Sequence, residues 1–562
     1  MSETSLYFFE LFRRRANLCA EMVKFDESFY WAELASTIGW KYFLGFFADQ
    51  ELEELLQQIG KKIDNELSDN SNINLKKTQS EKKHILHIAS TTELAGGHTR
   101  VIASWISNCQ SIMSDQMHSL IVTNQGAGEI PNWLGDAIKN NEGFIKVLDT
   151  SISPMKRALE LRNVAEGWAD IVILHIDPND PLPTVAFSKM RRELPVLFFN
   201  HADHVFSIGT SVSDLILDFR ETGQKISVEH RMPRKGSVLL PIPLIDPIEG
   251  RQLNQAERSE LRKEARKRLS ISEKAFVGLT IGSAYKYKPA MGHDFFECAK
   301  GILMSDDRIR IIAVGFNRTD SITSSLGDAA DRFDTLGIIL NRSILKDCYL
   351  AADVYLEGFP VSSLTALLEA GLCYLPIQRM KDARFPILSG DDVSIECHID
   401  PAESDDAYCE GAIRLFALPI DRQFELGNEN RVNIMAQHCG SSWVTNWLNP
   451  ILNAVERKTE NEQTSSFREL DWKNDNTDQD SDQMKMLSGL YGRKRGGQYD
   501  YILHALSSID NLPRMIQWQL ILNSIARGEP FMSTDRFRVS LMLFVRTLLP
   551  DRISHRIMRI IS

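Results

Sequence analysis

The 562-residue sequence predicts an α/β protein made of two doubly wound units in tandem, with helical extensions at both ends. Three observations predict it. From His84 onward, short apolar runs alternate with amphipathic helical patterns, the texture of a parallel sheet covered on both faces. The alternation starts afresh after a charged helical segment, Glu257 to Arg268. The chain is also longer than a single hydrophobic core ordinarily serves.

Residues 1–67 read as a helical N-terminal region. Leu52, Leu55, Leu56, Ile59 and Ile63 recur at three- and four-residue spacing and share one helix face. The aromatics before them, among them Phe29, Trp31, Trp40 and Phe46, suit a packing face against the next unit or a partner-binding surface; packing is the expectation. The polar stretch Ser68 to Lys83 is a linker. The first unit spans 84–245, with strands at Ile85–Ala89, Leu120–Val122, Phe144–Leu148, Ile171–Ile176, Val196–Phe199 and Val238–Leu240. The second spans 266–455, with strands at Val277–Ile281, Ile309–Val314, Val354–Leu356 and Leu375–Ile377. Next come an acidic linker, 456–484, and a helical basic tail, 485–562. Between Glu460 and Asp482 the linker carries eight acids and two bases, a composition too polar to bury a core.

A formal net charge of -11 argues against a nucleic-acid partner, since phosphate neutralisation needs clustered Lys and Arg. The eight cysteines lie scattered without a CxxC pair, which reads as reduced thiols in a cytoplasmic protein. No apolar run has the length of a membrane span, about 18–20 residues. The tail interleaves Arg536, Arg538, Arg546, Arg552, Arg556 and Arg559 with Leu541, Phe544, Leu548 and Leu549. A basic amphipathic helix of this kind lies on an anionic membrane surface or packs on an acidic body; peripheral membrane contact through 536–562 is one of two outcomes.

Four segments carry candidate chemistry. Gly96-Gly97-His98-Thr99-Arg100 follows the first strand and opens a helix, where glycines admit a ligand to the backbone and free N–H groups face an anion. A turn serving only chain reversal reads the same way. Asn200-His201-Ala202-Asp203-His204 follows the run Pro195–Phe199, at the strand end where such sheets hold ligands. His201 or His204 there suits a general base, while one short cluster supplies too few ligands for a metal. Gly282 to Pro289 places Lys286 and Lys288 in a loop leaving a sheet, where lysines neutralise diphosphate or simply meet solvent. Asp353 to Pro376 reads as strand, hydroxyl-rich turn, helix and strand. Ser362, Ser363 and Thr365 at the helix start suit a phosphate, and Glu369 one turn in suits ribose hydroxyls.

The run Asp353 to Pro376 resembles the donor-site signature of GT-B glycosyltransferases, most of all the family 4 type. Glu369-Ala370 and Leu375-Pro376 match the two ends of that family's helix motif. Gly96-Gly97 resembles its N-domain glycine loop, and His201 to Arg220 is similar to a bacterial subgroup. The sequence departs from the family at several points. Glu357 and Glu369 have eleven residues between them, more than the family places between its glutamates. Ser362-Ser363-Leu364-Thr365 resembles instead the Thr-rich loop of the O-GlcNAc transferase type. Ser283 or Ala284 stands where the family has Arg, and Tyr374 where it has Gly.

The resemblance implies two Rossmann-like domains and a sugar transfer from a nucleotide sugar to an acceptor glycan, lipid or protein, in bacterial glycan or polysaccharide biosynthesis. It places the donor on Lys286, Lys288, Ser363, Thr365 and Glu369, counts Gly96 and Gly97 of the glycine loop among the binding residues, and sets the acceptor near Gly97, His201 and His204, the two histidines being the catalytic candidates. No cofactor or metal is expected, with lysines and helix N-termini meeting the leaving-group charge. The rivals on the same scaffold are a nucleotide-sugar epimerase and a degenerate nucleotide-binding protein.

Overall fold

The computed structural model describes residues 3–42, 44–66, 82–94, 96–110, 112–126, 128–188, 194–231, 235–384, 388–396 and 398–459. The basic tail, and the acidic linker beyond residue 459, lie outside the described residues.

The first sheet holds seven parallel strands: β1 (Lys83–Ala89), β2 (Gln116–Val122), β3 (Ile145–Val147), β4 (Ile171–His175), β5 (Val196–Phe199), β6 (Leu215–Asp218) and β7 (Ser237–Leu239), in the order β3-β2-β1-β4-β5-β6-β7. The sequence reading omits β6, a four-residue strand. Three helices precede this sheet, α1 (Glu3–Glu21), α2 (Phe25–Tyr42) and α3 (Gln50–Glu66). Five are interleaved with it: α4 (Gly97–Gln110), α5 (Asn132–Asn140), α6 (Pro154–Trp168), α7 (Leu182–Phe187) and α8 (Glu221–His230). After α9 (Gln255–Arg268) the second sheet has five parallel strands in the order β10-β9-β8-β11-β12. These are β8 (Phe276–Ile281), β9 (Ile309–Val314), β10 (Phe333–Thr335), β11 (Val354–Leu356) and β12 (Ile377–Gln378). Its helices are α10 (Phe295–Ser305), α11 (Asp320–Leu326), α12 (Arg342–Ala351), α13 (Leu364–Leu372), α14 (Asp405–Ala417) and α15 (Ile420–His438). The chain continues through α16 (Gly440–Trp443) and α17 (Asn449–Thr459). Strand β10 also escapes the sequence reading, being three residues at a sheet edge.

Side-chain alternation explains why both sheets are covered twice. Leu86, Ile88, Ile121, Val172 and Leu174 point into one apolar cluster with α1–α3, α6 and α7. Ile85, Ile171, Ile173, Leu197 and Phe199 point the other way, into a cluster with Trp105 of α4. In the second sheet Val277, Leu279, Ile312 and Val314 join that same cluster, while Ile309, Ile311, Ala313, Val354 and Leu356 face a third. Period-two burial on both faces is what a continuous apolar run provides. One cluster therefore passes unbroken between the two domains.

The N-terminal aromatics pack inward: Phe9 and Phe46 meet Phe206 edge-on at 5.7 and 5.8 Å. Buried Glu53 of α3 accepts the N–H groups of Gly209 and Thr210 (2.7 and 3.2 Å) and the Ser211 hydroxyl, fixing α3 to the first sheet. Asn179 donates to Thr37 at 2.9 Å. This is the packing face expected from the sequence.

The chain crosses between the domains twice, at 240–246 and 438–443, and the crossings are stitched together. His438 Nδ1 meets the Ile242 carbonyl at 2.8 Å, Trp443 Nε1 donates to Pro241 at 2.7 Å, and Arg431 grips Asp246 at 2.6 Å. Asn108 of α4 donates to Leu244 and His438 and accepts from the N–H of Gly440. Trp443 then packs on Trp105 at 5.3 Å, so α16 covers the first domain. Among the described residues no helix is long and apolar enough to cross a membrane.

Candidate active-site cleft

Strand order reverses between β1 and β4 in the first sheet and between β8 and β11 in the second. Open α/β sheets bind ligands outside the carboxyl ends of their strands at such switch points. A cavity of about 400 Å³ lies there, lined by the loops after β1, β5, β6, β8, β11 and β12. Both domains supply its walls.

The first-domain wall carries the glycine loop and a group of histidines. Gly97 begins α4, and a Cβ built on it would come 4.0 Å from Thr365 Oγ1 of the second domain, so the walls nearly meet at this point. His98, one residue on, stacks on His201 with ring centroids 5.4 Å apart and donates from Nε2 to the Thr91 carbonyl, 3.2 Å away. His201 Nδ1 is shut off from solvent and has no hydrogen-bond partner. Burial, and then the neighbouring His98, push the His201 pKa down to about 3, which keeps the ring neutral. His204 is also lowered by burial, although Asp203, 3.2 Å from its Nδ1, opposes the shift.

Asp203 itself faces the protein. Arg220 binds it through two parallel contacts of 2.6 and 2.8 Å. Burial opposes ionisation of Asp203, but the Arg220 guanidinium outweighs it and holds the carboxylate below its ordinary range. Arg220 then reaches across the cleft to the Ser389 carbonyl at 2.5 Å and to Asp391 at 3.3 Å. Thr222 adds its N–H and hydroxyl to Asp391 at 3.1 and 2.8 Å. This clasp joins the domains at the cleft floor. The nearby acids Asp214 and Asp218 are structural: Asp214 accepts the Val196 N–H, and Asp218 accepts from Asn200, Ser227 and Ser237.

The second-domain wall carries hydroxyls and an amine. Ser363 caps α13 without a side-chain bond to the helix, leaving its hydroxyl and the N–H groups of Leu364 and Thr365 to the cavity. Gly282 belongs beneath it, since a Cβ there would lie 2.7 Å from Ser363 Oγ. Lys286 donates to the Ser362 carbonyl at 2.6 Å, tying the loop after β8 to the loop after β11. Burial, and then Arg220, lower its pKa to about 8. Glu369 lines the cavity and accepts from Tyr349 at 2.9 Å through one carboxylate oxygen. Glu357 stands behind the wall. It accepts the Ser362 hydroxyl and the Met380 N–H (3.3 Å), and burial raises its pKa to about 7.

Of the residues singled out in the sequence, Gly97, His201, His204, Lys286, Ser363, Thr365 and Glu369 converge on the cavity. Gly96 and Lys288 do not line it: Gly96 faces the Glu93 side chain, and Lys288 is exposed. His98, Arg100 and Tyr349 line it without having been given a role from sequence. For His98 and Arg100 the signal was present, since both open the helix after the glycine pair.

No family model matches the chain, and no curated protein matches its sequence. Among solved structures, HepE of Anabaena in complex with UDP and glucose is similar at 10% identity, over 66% of this chain and 99% of that one, with a TM-score of 0.48. A Thermobaculum terrenum O-GlcNAc transferase mutant is similar at 13% identity, over 81% and 84%, with a TM-score of 0.47. The UDP-GlcNAc 2-epimerase from Neisseria meningitidis bound to UDP-GlcNAc is similar at 12% identity, over 67% and 100%, with a TM-score of 0.42. Likenesses this distant assign no activity to the chain. Its chemistry has to be read from the cleft.

Proposed function

We propose that the protein is a glycosyltransferase that moves a sugar from a nucleotide sugar to an acceptor held between its two domains. The observation that carries this reading is the asymmetry of the cleft. One wall offers hydroxyls, a helix N-terminus and the Lys286 amine; the other offers neutral histidines, and both lie at the carboxyl ends of parallel sheets.

On this reading the donor diphosphate meets Lys286, Ser363, Thr365 and the α13 N-terminus, and the free oxygen of Glu369 accepts from ribose hydroxyls. Glu357 positions Ser362. The sugar's anomeric carbon loses its bond to the diphosphate and gains one to an acceptor hydroxyl. The hydroxyl proton passes to a histidine of the first wall, and the nucleoside diphosphate leaves with its charge stabilised by the amine and the helix. His98, His201 and His204 all line the cleft and are the candidates for that proton; the burial that keeps His201 neutral also opposes its protonation.

A thermal-shift panel of nucleoside diphosphates and nucleotide sugars tests the donor site, because a ligand of the native state raises the melting temperature. At least one compound is expected to raise it, and Glu369→Ala to diminish the shift while the free variant, which loses the acceptor of the Tyr349 hydroxyl, still unfolds cooperatively. A panel with no shift at all rejects the reading. With a donor in hand, His98→Ala, His201→Ala and His204→Ala are compared. Loss of the base is expected to cut turnover by about 10²–10⁴-fold with donor binding retained. Full activity in all three variants removes the histidines from the chemistry. Release of an epimerised nucleotide sugar, with no acceptor glycosylated, would assign an epimerase instead.

A further inference from the structure

The charge of the cavity is opposite to that of the protein. The chain carries a formal net charge of -11, yet the charged side chains on the described cavity lining are Arg100, Arg220 and Lys286 against Glu369 alone. Arg220 is spent on Asp203 and Asp391. Lys286 sits on the wall with the hydroxyls and the α13 N-terminus, and these together match one diphosphate. Arg100 is left over. It lies on the opposite wall, in the first turn of α4, and none of the described residues gives its guanidinium a hydrogen bond or an ion pair. No carboxylate of the first domain lines the cavity beside it.

A guanidinium left unpaired among the described residues of a concave site, beside His98 and His201, is a receptor for a second anion. We infer that the acceptor carries an anionic group, a phosphate or a carboxylate, which Arg100 binds while a hydroxyl of the same molecule faces His98 and His201. The inference rests on the transferase reading for the word acceptor, but the binding it asserts is independent of turnover. Geometry favours the arrangement, because His98 and Arg100 both line the cavity and His98 stacks on His201. An acceptor anchored by its anion would present a neighbouring hydroxyl to the ring that takes the proton.

Isothermal titration calorimetry on the full chain, with and without saturating UDP, tests it using three probes on one sugar ring. Glucose 6-phosphate carries the phosphate, glucuronate the carboxylate, and glucose neither. The wild-type protein is expected to bind at least one anionic probe about tenfold or more tighter than glucose, the scale of a charge-assisted hydrogen bond. Whichever anion wins names the acceptor class. Arg100→Gln is expected to abolish that preference while leaving the Kd for UDP unchanged, and Arg100→Lys to retain part of it. Unaltered melting temperatures show that both variants fold. Equal affinity for all three probes overturns the inference. So does an Arg100→Gln variant that loses UDP affinity and keeps its probe affinities, which would return Arg100 to the donor diphosphate. Failure of the transferase reading shows itself separately, as no thermal shift with any nucleoside diphosphate or nucleotide sugar, while the probes still report on Arg100 in the free protein.

Discussion

Asp203→Ala is expected to destabilise the protein by about 3–5 kcal/mol, the range for removing one partner of a buried ion pair. The Asp203 side chain is fully buried and that of Arg220 nearly so, at 0% and 6% exposure. Without the carboxylate, Arg220 keeps the Ser389 carbonyl and the 3.3 Å contact to Asp391, neither of which replaces a two-point pairing. The uncompensated charge is what costs the energy. The double variant Asp203→Ala/Arg220→Met removes the charge as well and should recover part of the loss. Urea denaturation of the wild type, both single variants and the double variant measures the coupling. A loss below about 1 kcal/mol in Asp203→Ala would show that the pair contributes like an exposed one. Gly223 belongs to the same arrangement, because a Cβ there would strike the Asp203 carboxylate.

The second expectation is a steep loss of stability in mild acid. His87 lies between two other buried rings, with Nδ1 3.0 Å from His175 Nε2 and Nε2 2.9 Å from His118 Nδ1. Burial drives the His118 pKa to about 3 and holds His87 and His175 well below 6.5. His201 follows the same direction, to about 3. An unfolded chain protonates these rings as pH falls below about 6.5, whereas burial in the folded protein holds them neutral well below that, His118 and His201 to about pH 3. Their contribution is therefore complete above pH 6.5 and lost progressively below it, at about 1.4 kcal/mol per pH unit for each ring. His438 acts in the opposite sense: burial disfavours its charge, but Asp392 at 2.9 Å outweighs that and raises its pKa. Urea midpoints at pH 7.5, 6.5, 5.5 and 4.5 should be flat over the first interval and fall sharply over the last two. A constant midpoint down to pH 4.5 would mean that the three rings are protonated in the fold.

Much of this architecture was legible because buried parallel strands are written as apolar runs. Ile171–Ile176 and Ile309–Val314 announce β4 and β9 almost to the residue. β6 escapes the sequence reading because Asp214 and Asp218 bound a run of only three apolar residues, although both acids accept hydrogen bonds within the fold. The cleft was partly legible for a topological reason: polar residues just after a strand, such as His201 and Lys286, sit where the fold gathers ligands. The clasp was not legible. Arg220 finds Asp203 across 17 residues and Asp391 across 171, and no local pattern encodes such meetings. Glu357 likewise gained its meaning only when its carboxylate was found beneath Ser362.

The stitched crossing between the domains has a consequence for the order in which the protein is made. Asn108 waits for His438, 330 residues later, and the face of α4 bearing Trp105 stays uncovered until Trp443 has been synthesised. At about 5–20 residues per second, the ribosome needs roughly 15–70 s to deliver that cover. For the part of this interval that follows β7, the nascent first domain has its sheet but not the helix that covers Trp105 in the finished protein. The domain encoded first is thus the one completed last, by a helix that emerges only after the whole second sheet has passed.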